Sequence, residues 1–280
     1  AQRVHLAESA LTHRFRLREE CFGMPLFERK TRPLRFSPAG QRLLQLAHEV
    51  LPAVDDARRD IARLTGGNAG SLRIAVECHT CFEWLMPAMD VFREHWPEVE
   101  LDLVSGFHPE PLALIEQSRA DLVIMSEKKK VEGVRWYPLF RFEILGVLPN
   151  EHPLTSAPYL TPRNFADETL ITYPVPDEML DVVRRFLRPA GIKPVQRKAE
   201  LTIAILQLIA SRRGVAALPE WTVVPYARRR YISCKRLGKN GLWSTLHSAV
   251  PSSTAELAYM QDFLATLKRT GEEKLPVVTG

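Results

Sequence analysis

The sequence predicts an α/β protein in three parts: a small basic head of helix and hairpin, one long amphipathic helix, and two α/β lobes in series. Three observations carry this. The whole net charge of +5 lies in residues 1–42, where nine Lys/Arg face four acids, while the remaining 238 residues balance at 29 of each sign. An apolar stripe at helical spacing runs from Leu43 to Leu64. After the linker TGGNAGS (65–71), short β-rich runs alternate with helical ones, the order that builds a sheet with helices on its faces.

The head begins with SALTHRFRLREECF (9–22), read as a helix with Ser9 as N-cap and Gly23 as its stop. Leu11, Phe15 and Phe22 fall near one face, and Thr12, His13, Arg14, Arg16 and Glu20 lie opposite. Two extended pieces follow, 26–29 and 34–37, bracketing the basic tip KTRP. A helix with small polar and basic groups followed by a basic hairpin is what a winged helix-turn-helix presents to DNA: helix side chains reach base edges while hairpin arginines hold phosphate. Ser9, Thr12, His13, Arg14 and Arg16 on the helix, with Arg29 and Arg32 on the hairpin, are the expected DNA-binding residues.

Ser37-Pro38 opens the long helix, with Pro38 at its first position. Ten apolar residues over seven turns form a stripe too broad for the small head to cover, so a partner helix is expected. Pro52 interrupts the helix and is expected to bend it.

Beyond the linker, strand and helix alternate: LRIAVE (72–77), the helix 82–97, VELDLVSG (99–106), the helix PLALIEQSR and ADLVIMS (120–126). This β-α-β-α-β order argues for a parallel sheet. FEILGVLPN continues as a strand, TPRNFADETLITYP as a short helix and strand, LDVVRRFLRPAG and AILQLIASRRG as helices, and VAALPEW and LHSAVP as strands. ELAYMQDFLATLKR closes the chain as an amphipathic helix.

Composition narrows the function classes. The chain carries no apolar run of about eighteen residues, so no membrane span is expected. The opening AQRVHLAESALTHRF lacks the apolar core of a secretory signal. Four cysteines, Cys21, Cys78, Cys81 and Cys234, do not make a disulfide framework, and a reducing cytoplasm is the expected compartment. No nucleophile elbow, phosphate-cradling glycine loop or paired carboxylates appear, so no catalytic residue is expected and the chain does not read as an enzyme.

The stretch ECHTC (77–81) draws metal, redox, packing and ligand-contact readings. A zinc site needs four ligands and this stretch offers three candidates, so no metal is expected. A thioredoxin-type couple wants a fold context that is missing. A buried thiol such as that of Cys78 packs as a small hydrophobe. His152 in NEHPL reads as a loop residue with a structural hydrogen bond, and EKKKVEG (127–133) and YARRRY (226–231) as solvated segments.

Over nearly its full length the chain resembles the LysR-type transcriptional regulators. The family pattern S-A-L-S-x-x-I-x-x-L-E-x-x-L-G-x-x-L-F-x-R, followed by T-x-A-G, is met by Ser9-Ala10-Leu11-Thr12, Phe15, Glu19, Phe22-Gly23, Leu26-Phe27, Arg29 and SPAG. NEHPL (150–154) and RGVAALP (213–219) match further stretches of the family's effector domain. Two departures stand out. The chain opens at AQRVHLAESAL, so the start of the family's winged helix-turn-helix is expected to be missing. Arg18 stands where the family has leucine and Leu17 where it has a polar residue, which would set a charge on a core-facing position.

The resemblance implies a fold class: α/β, with a truncated winged helix-turn-helix and long linker helix, then a two-lobed effector domain like the periplasmic binding proteins. The implied parts are 1–37 (partial DNA-binding domain), 38–71 (dimerisation helix and hinge), 72–147 with 248–270 (first lobe) and 148–247 (second lobe). Implied partners are double-stranded promoter DNA, a second copy through the linker helix as dimer or tetramer, and RNA polymerase. A small effector between the lobes would meet His79, Thr80, Cys81, Phe107, Ser126, Glu127, Tyr173, Thr202 and Ile203. Within the family, VECHTC, WPEVELDLVSG, ADLVIMS and ETLITYPV look like the branch that activates methionine biosynthesis. That branch implies homocysteine as co-inducer and no other cofactor. Its carboxylate would meet Thr80 and the helix start at Phe82, its ammonium Glu127 or Ser126, and its thiol Phe107, Ile203 and Cys81. The alternative is a small-molecule-binding protein of the same two-lobe fold with no DNA-binding role.

Overall fold

A computed structural model describes residues 8–28, 34–66, 70–77, 80–104 and 110–274. The chain divides into two compact units, Ala1–Ile61 and Ala62–Gly280.

The first unit holds helix α1 (Glu8–Phe22) and most of α2 (Pro38–Gly66). Between them Phe27 and Phe36 form an antiparallel bridge, and the Glu28 N–H donates to the Arg35 carbonyl at 2.9 Å, as expected of a hairpin. Phe27 stacks on Phe36 at 5.1 Å and meets the edge of Phe15 at 5.0 Å. Ser37 caps α2: its hydroxyl accepts the Gly40 N–H at 3.1 Å, with Pro38 at the first helical position. Gly40 is there because a Cβ would stand 2.0 Å from the Leu26 carbonyl oxygen; the packing of hairpin on helix leaves no room for a side chain. Arg18 is exposed, so its charge stays in water and the expected burial cost does not arise. The helical assignment of α2 runs on through Pro52.

The second unit begins with β1 (Gly70–Val76), α3 (Phe82–His95), β2 (Val99–Leu103), α4 (Leu112–Glu116) and β3 (Leu122–Met125). Then come the fifteen-residue β4 (Val134–Leu148), β5 (Thr169–Thr172), β6 (Val195–Lys198), α5 (Thr202–Ala210), β7 (Ala216–Pro219) and α6 (Glu220–Arg228). It ends with β8 (Ser233–Arg236), β9 (Leu242–Pro251) and α7 (Ala258–Lys274). Among the described residues the main sheet has seven strands in the order β2-β1-β3-β9-β4-β7, with β8 also on β4.

The three strands of the β-α-β-α-β run are parallel as expected, but the later strands make the whole sheet mixed. β1 is parallel to β2 and β3, where β-α-β crossovers return each strand in the same sense. β9 is antiparallel to both β3 and β4, and β7 and β8 are antiparallel to β4. β4 ties the halves together: Val134 to Ile144 pair with β9, and Ile144 to Leu148 pair with β7 and β8. β5 and β6 form a separate parallel pair. Segment 182–190, read as an ordinary helix, is wound as a π-type turn and a 3-10 turn, with Pro189 lacking the N–H that a regular helix needs.

The core is closed on both faces of the sheet. Trp84, Leu85 and Phe92 of α3 pack with Tyr259, Phe263 and Leu267 of α7, and Phe92 meets Phe263 at 4.8 Å. On the other half, Ile205, Leu206 and Ile209 of α5 cover Leu145 and Val147. The carboxylate of Asp121, buried beside β1, takes three hydrogen bonds from Arg73, at 2.9 to 3.2 Å. His152 is structural as expected: its Nδ1 accepts the Leu154 N–H, so Nε2 carries the proton toward Glu168 at 3.1 Å. No helix among the described residues is long and apolar enough to cross a membrane.

Candidate functional site

β1 and β3 lie side by side and end together, with Val76 in register with Ile124. The chain leaves the sheet at their carboxyl ends, where open α/β sheets hold ligands. Glu77 follows β1, and Ser126 and Glu127 follow β3. A cleft of about 250 Å³ opens at this edge. Its far wall comes from β4, β7, β9, the start of α6 and the segment 175–184. Phe142, Ile144, Val175 and Leu246 give that wall an apolar surface, while Glu77, Thr80, Lys129, Tyr173, Asp181 and Arg184 bring polar groups. A mostly apolar cavity with a few convergent polar groups is the usual form of a small-molecule site.

The polar groups are held in place by the fold. Thr80 is 7% exposed, and both its carbonyl and its hydroxyl oxygen accept the indole N–H of Trp221 at 3.1 Å. Trp221 lies against Phe142 at 4.5 Å, so the turn before α3 is anchored to the opposite wall. Tyr173 and Thr202 share a hydroxyl hydrogen bond of 2.6 Å. Arg184 spans two carboxylates, donating to Glu127 at 2.6 Å and to Asp181 at 2.8 Å. The Glu77 carboxylate accepts the Ser126 N–H at 2.9 Å. Burial pushes the Glu77 pKa above its ordinary 4.5, and the Ser126 N–H and the Lys129 charge offset that only in part.

Of the residues expected around an effector, the cleft brings Thr80, Ser126, Glu127 and Tyr173 together. Cys81 is placed elsewhere: it takes up α-helical geometry at the head of α3 and is fully buried in the core cluster with Trp84 and Leu85, so it is not a wall of the cleft. Thr202 supports Tyr173 through its hydroxyl but does not line the cavity. Ile203, one step further along α5, is 55% exposed and also off the cleft. His79 and Phe107, with Cys78, lie outside the described residues. Five charged lining groups, Glu77, Lys129, Glu178, Asp181 and Arg184, were not expected, because charges beside strands and turns look like solvated surface in a sequence.

In the first unit, His13, Arg14 and Arg16 project into solvent from α1, and Glu20 shares their exposure. Arg29 and Arg32, and the side chains of Ser9 and Thr12, lie outside the described residues.

Comparison with known proteins adds to this geometry. Residues 1–41 match the family described as "Bacterial regulatory helix-turn-helix protein, lysR family", and residues 65–272 match the "LysR substrate binding domain". The transcriptional regulator MetR of Haemophilus influenzae is 51% identical over 276 residues, covering 99% of this chain and 89% of its own length. MetR of Escherichia coli is 39% identical over 278 residues, covering 99% and 86%. Among solved structures, the regulatory domain of MetR from N. meningitidis is 50% identical, with a TM-score of 0.69 over 74% of this chain and 95% of that one. CbnR, at 15% identity and a TM-score of 0.67 over 96% and 92%, shares the fold.

Proposed function

The chain belongs to the LysR family of DNA-binding transcriptional regulators, and from that premise we propose that it activates methionine and sulfur amino-acid genes in response to homocysteine held in the cleft. The observation that carries this is the similarity to MetR along the whole chain. The cleft is of a size for a small amino acid, with polar groups at the β1 and β3 ends and an apolar wall opposite. On this reading the homocysteine carboxylate meets the Thr80 hydroxyl and the N–H groups at the start of α3, where the helix dipole favours an anion. The thiol lies against Phe142, Ile144 and Leu246, a slot suited to a soft, weakly hydrated group. The protein is a regulator and not an enzyme.

The same proposal assigns the DNA contacts. His13, Arg14 and Arg16, with Ser9 and Thr12, reach base edges from α1, and Arg29 and Arg32 hold phosphate at the hairpin. A second copy packs along α2, RNA polymerase is a further partner, and the protein works in the cytoplasm.

Calorimetry of the full chain against L-homocysteine, L-methionine and L-cysteine tests the effector. Homocysteine is expected to bind most tightly, and Thr80→Val to cost about 1–3 kcal/mol of that affinity through a lost hydrogen bond to a charged group. The fold should survive, because Trp221 keeps the Thr80 carbonyl as an acceptor. Homocysteine binding no more tightly than methionine would reject this effector.

A further inference from the structure

Two glutamates face the cleft in different states. Glu127 is committed: Arg184 donates to it at 2.6 Å and holds Asp181 with its other nitrogen, and Glu127 itself is half exposed. Glu77 sits deeper, at the end of β1, with its main-chain N–H fixed on the Ile124 carbonyl at 2.9 Å. One of its carboxylate oxygens accepts the Ser126 N–H. Among the described residues no lysine, arginine or histidine forms an ion pair with it. A carboxylate in a largely apolar cavity, held by one backbone donor and with Lys129 near but not paired to it, is only partly compensated for its loss of water.

We propose that Glu77 is the cation subsite of the cleft, and that it selects effectors carrying a protonated amine over the same acids without one. The proposal rests on the cleft being the effector site. Glu77, just after β1, and Thr80, just before α3, both line the cleft, which thus offers an acceptor for an ammonium and a hydroxyl for a carboxylate. An α-amino acid carries both groups on a single carbon, so one ligand presents both to the same cleft. The ammonium goes to Glu77 in place of Glu127 or Ser126, the acceptors expected above, and Glu127 accepts from Arg184.

A proton linkage follows. Burial keeps the Glu77 pKa above the ordinary 4.5, while an ammonium partner favours the ionised form. The other charges that bear on Glu77 are Lys129, which favours ionisation, and Glu127 and Asp181, which oppose it. Effector binding therefore releases a proton from Glu77. Affinity for an amino acid rises as pH climbs through the raised Glu77 range, then levels off.

The test titrates the full chain, wild type and Glu77→Gln, with a panel of L-α-amino acids that includes homocysteine. Each binder is then repeated as its deamino acid, 4-mercaptobutanoate in the case of homocysteine. The amide oxygen of the variant still accepts the Ser126 N–H, and an unchanged thermal midpoint confirms folding. The expected result is a preference of about tenfold or more for the amino acid in the wild type, as for a charge-assisted hydrogen bond, and its loss in Glu77→Gln. The rise of affinity with pH should vanish with it. Equal binding of the amino and deamino acids by the wild type overturns the proposal, as does a preference that survives in Glu77→Gln. If homocysteine is silent and another amino acid binds, the homocysteine reading falls and that amino acid decides the role of Glu77. If no amino acid binds, both fall.

Discussion

The two compact units handle their apolar side chains in opposite ways. In Ala62–Gly280, helices cover both faces of the sheet, and Trp84, Phe92, Tyr259 and Phe263 are each at most 1% exposed. In Ala1–Ile61, Leu26 is the one large apolar side chain fully buried among the described residues. Along α2, Leu44, Leu46, Val50, Leu51 and Val54 stand 38–59% exposed. A sheet with a helix on each face closes its own core. A single long helix presents a stripe that only another element can cover. The first unit thus leaves an apolar face exposed along α2, the face that the proposed pairing of two copies would bury.

The largest expected effect concerns that face. Leu44→Asp with Leu51→Asp should convert the assembled protein to monomers by light scattering, because two charges on the stripe cannot be desolvated cheaply. The thermal transition of the second unit should stay in place. An unchanged mass in solution would mean that α2 is not the interface, and the exposed stripe would lose its explanation.

The next effect probes the closed core. Phe263→Ala removes a ring that is fully buried between α7 and Phe92, and should cost about 3–5 kcal/mol in urea unfolding of the second unit. Leu51→Ala, on the open face, should cost well under about 1 kcal/mol in the dissociated chain. Similar costs for the two would erase the contrast between the units.

The same contrast explains what the sequence discloses. The long helix is legible because its stripe of leucines and valines has nothing local to compete with it. SPAG is legible as a junction, though only the structure gives the reason for Gly40: the Leu26 carbonyl lies where a Cβ would be. The first half of β4 was missed because Arg135 and Arg141 break its apolar run and Pro138 sits next to a bulge. The body of α6 was missed, with only its end read at 226–231, because Pro225 lies within it. In the cleft, Thr80, Ser126, Glu127 and Tyr173 were legible as strand ends. Cys81 was misplaced because it follows the first strand as closely as Thr80 does, whereas its helical geometry at the head of α3 directs this thiol into the core. Glu77 was quoted yet assigned no role, since nothing in a sequence reveals that a glutamate is buried with no ion-pair partner among the described residues.

The smallest effect leaves stability untouched and reads the contrast through thiols. Cys21 is exposed on α1 of the first unit. Cys234 lies on β8 of the second, packed against the cluster of Val147 and Ile232, and burial pushes its pKa up to about 12. Only the thiolate attacks a disulfide reagent, and at about pH 8 a thiol with that pKa is ionised to roughly one part in ten thousand. Cys81, with no exposed surface, should stay unmodified in the native protein. Brief labelling with an aromatic disulfide, followed by peptide mass mapping so that each cysteine is read separately, should therefore mark Cys21 first and leave Cys234 largely unlabelled. Urea should bring Cys234 and Cys81 to a rate like that of Cys21, since unfolding returns every thiol to water. Labelling of Cys234 as fast as Cys21 in the native chain would show that the edge of the sheet at β8 opens readily, and the second unit would be less closed than its core implies.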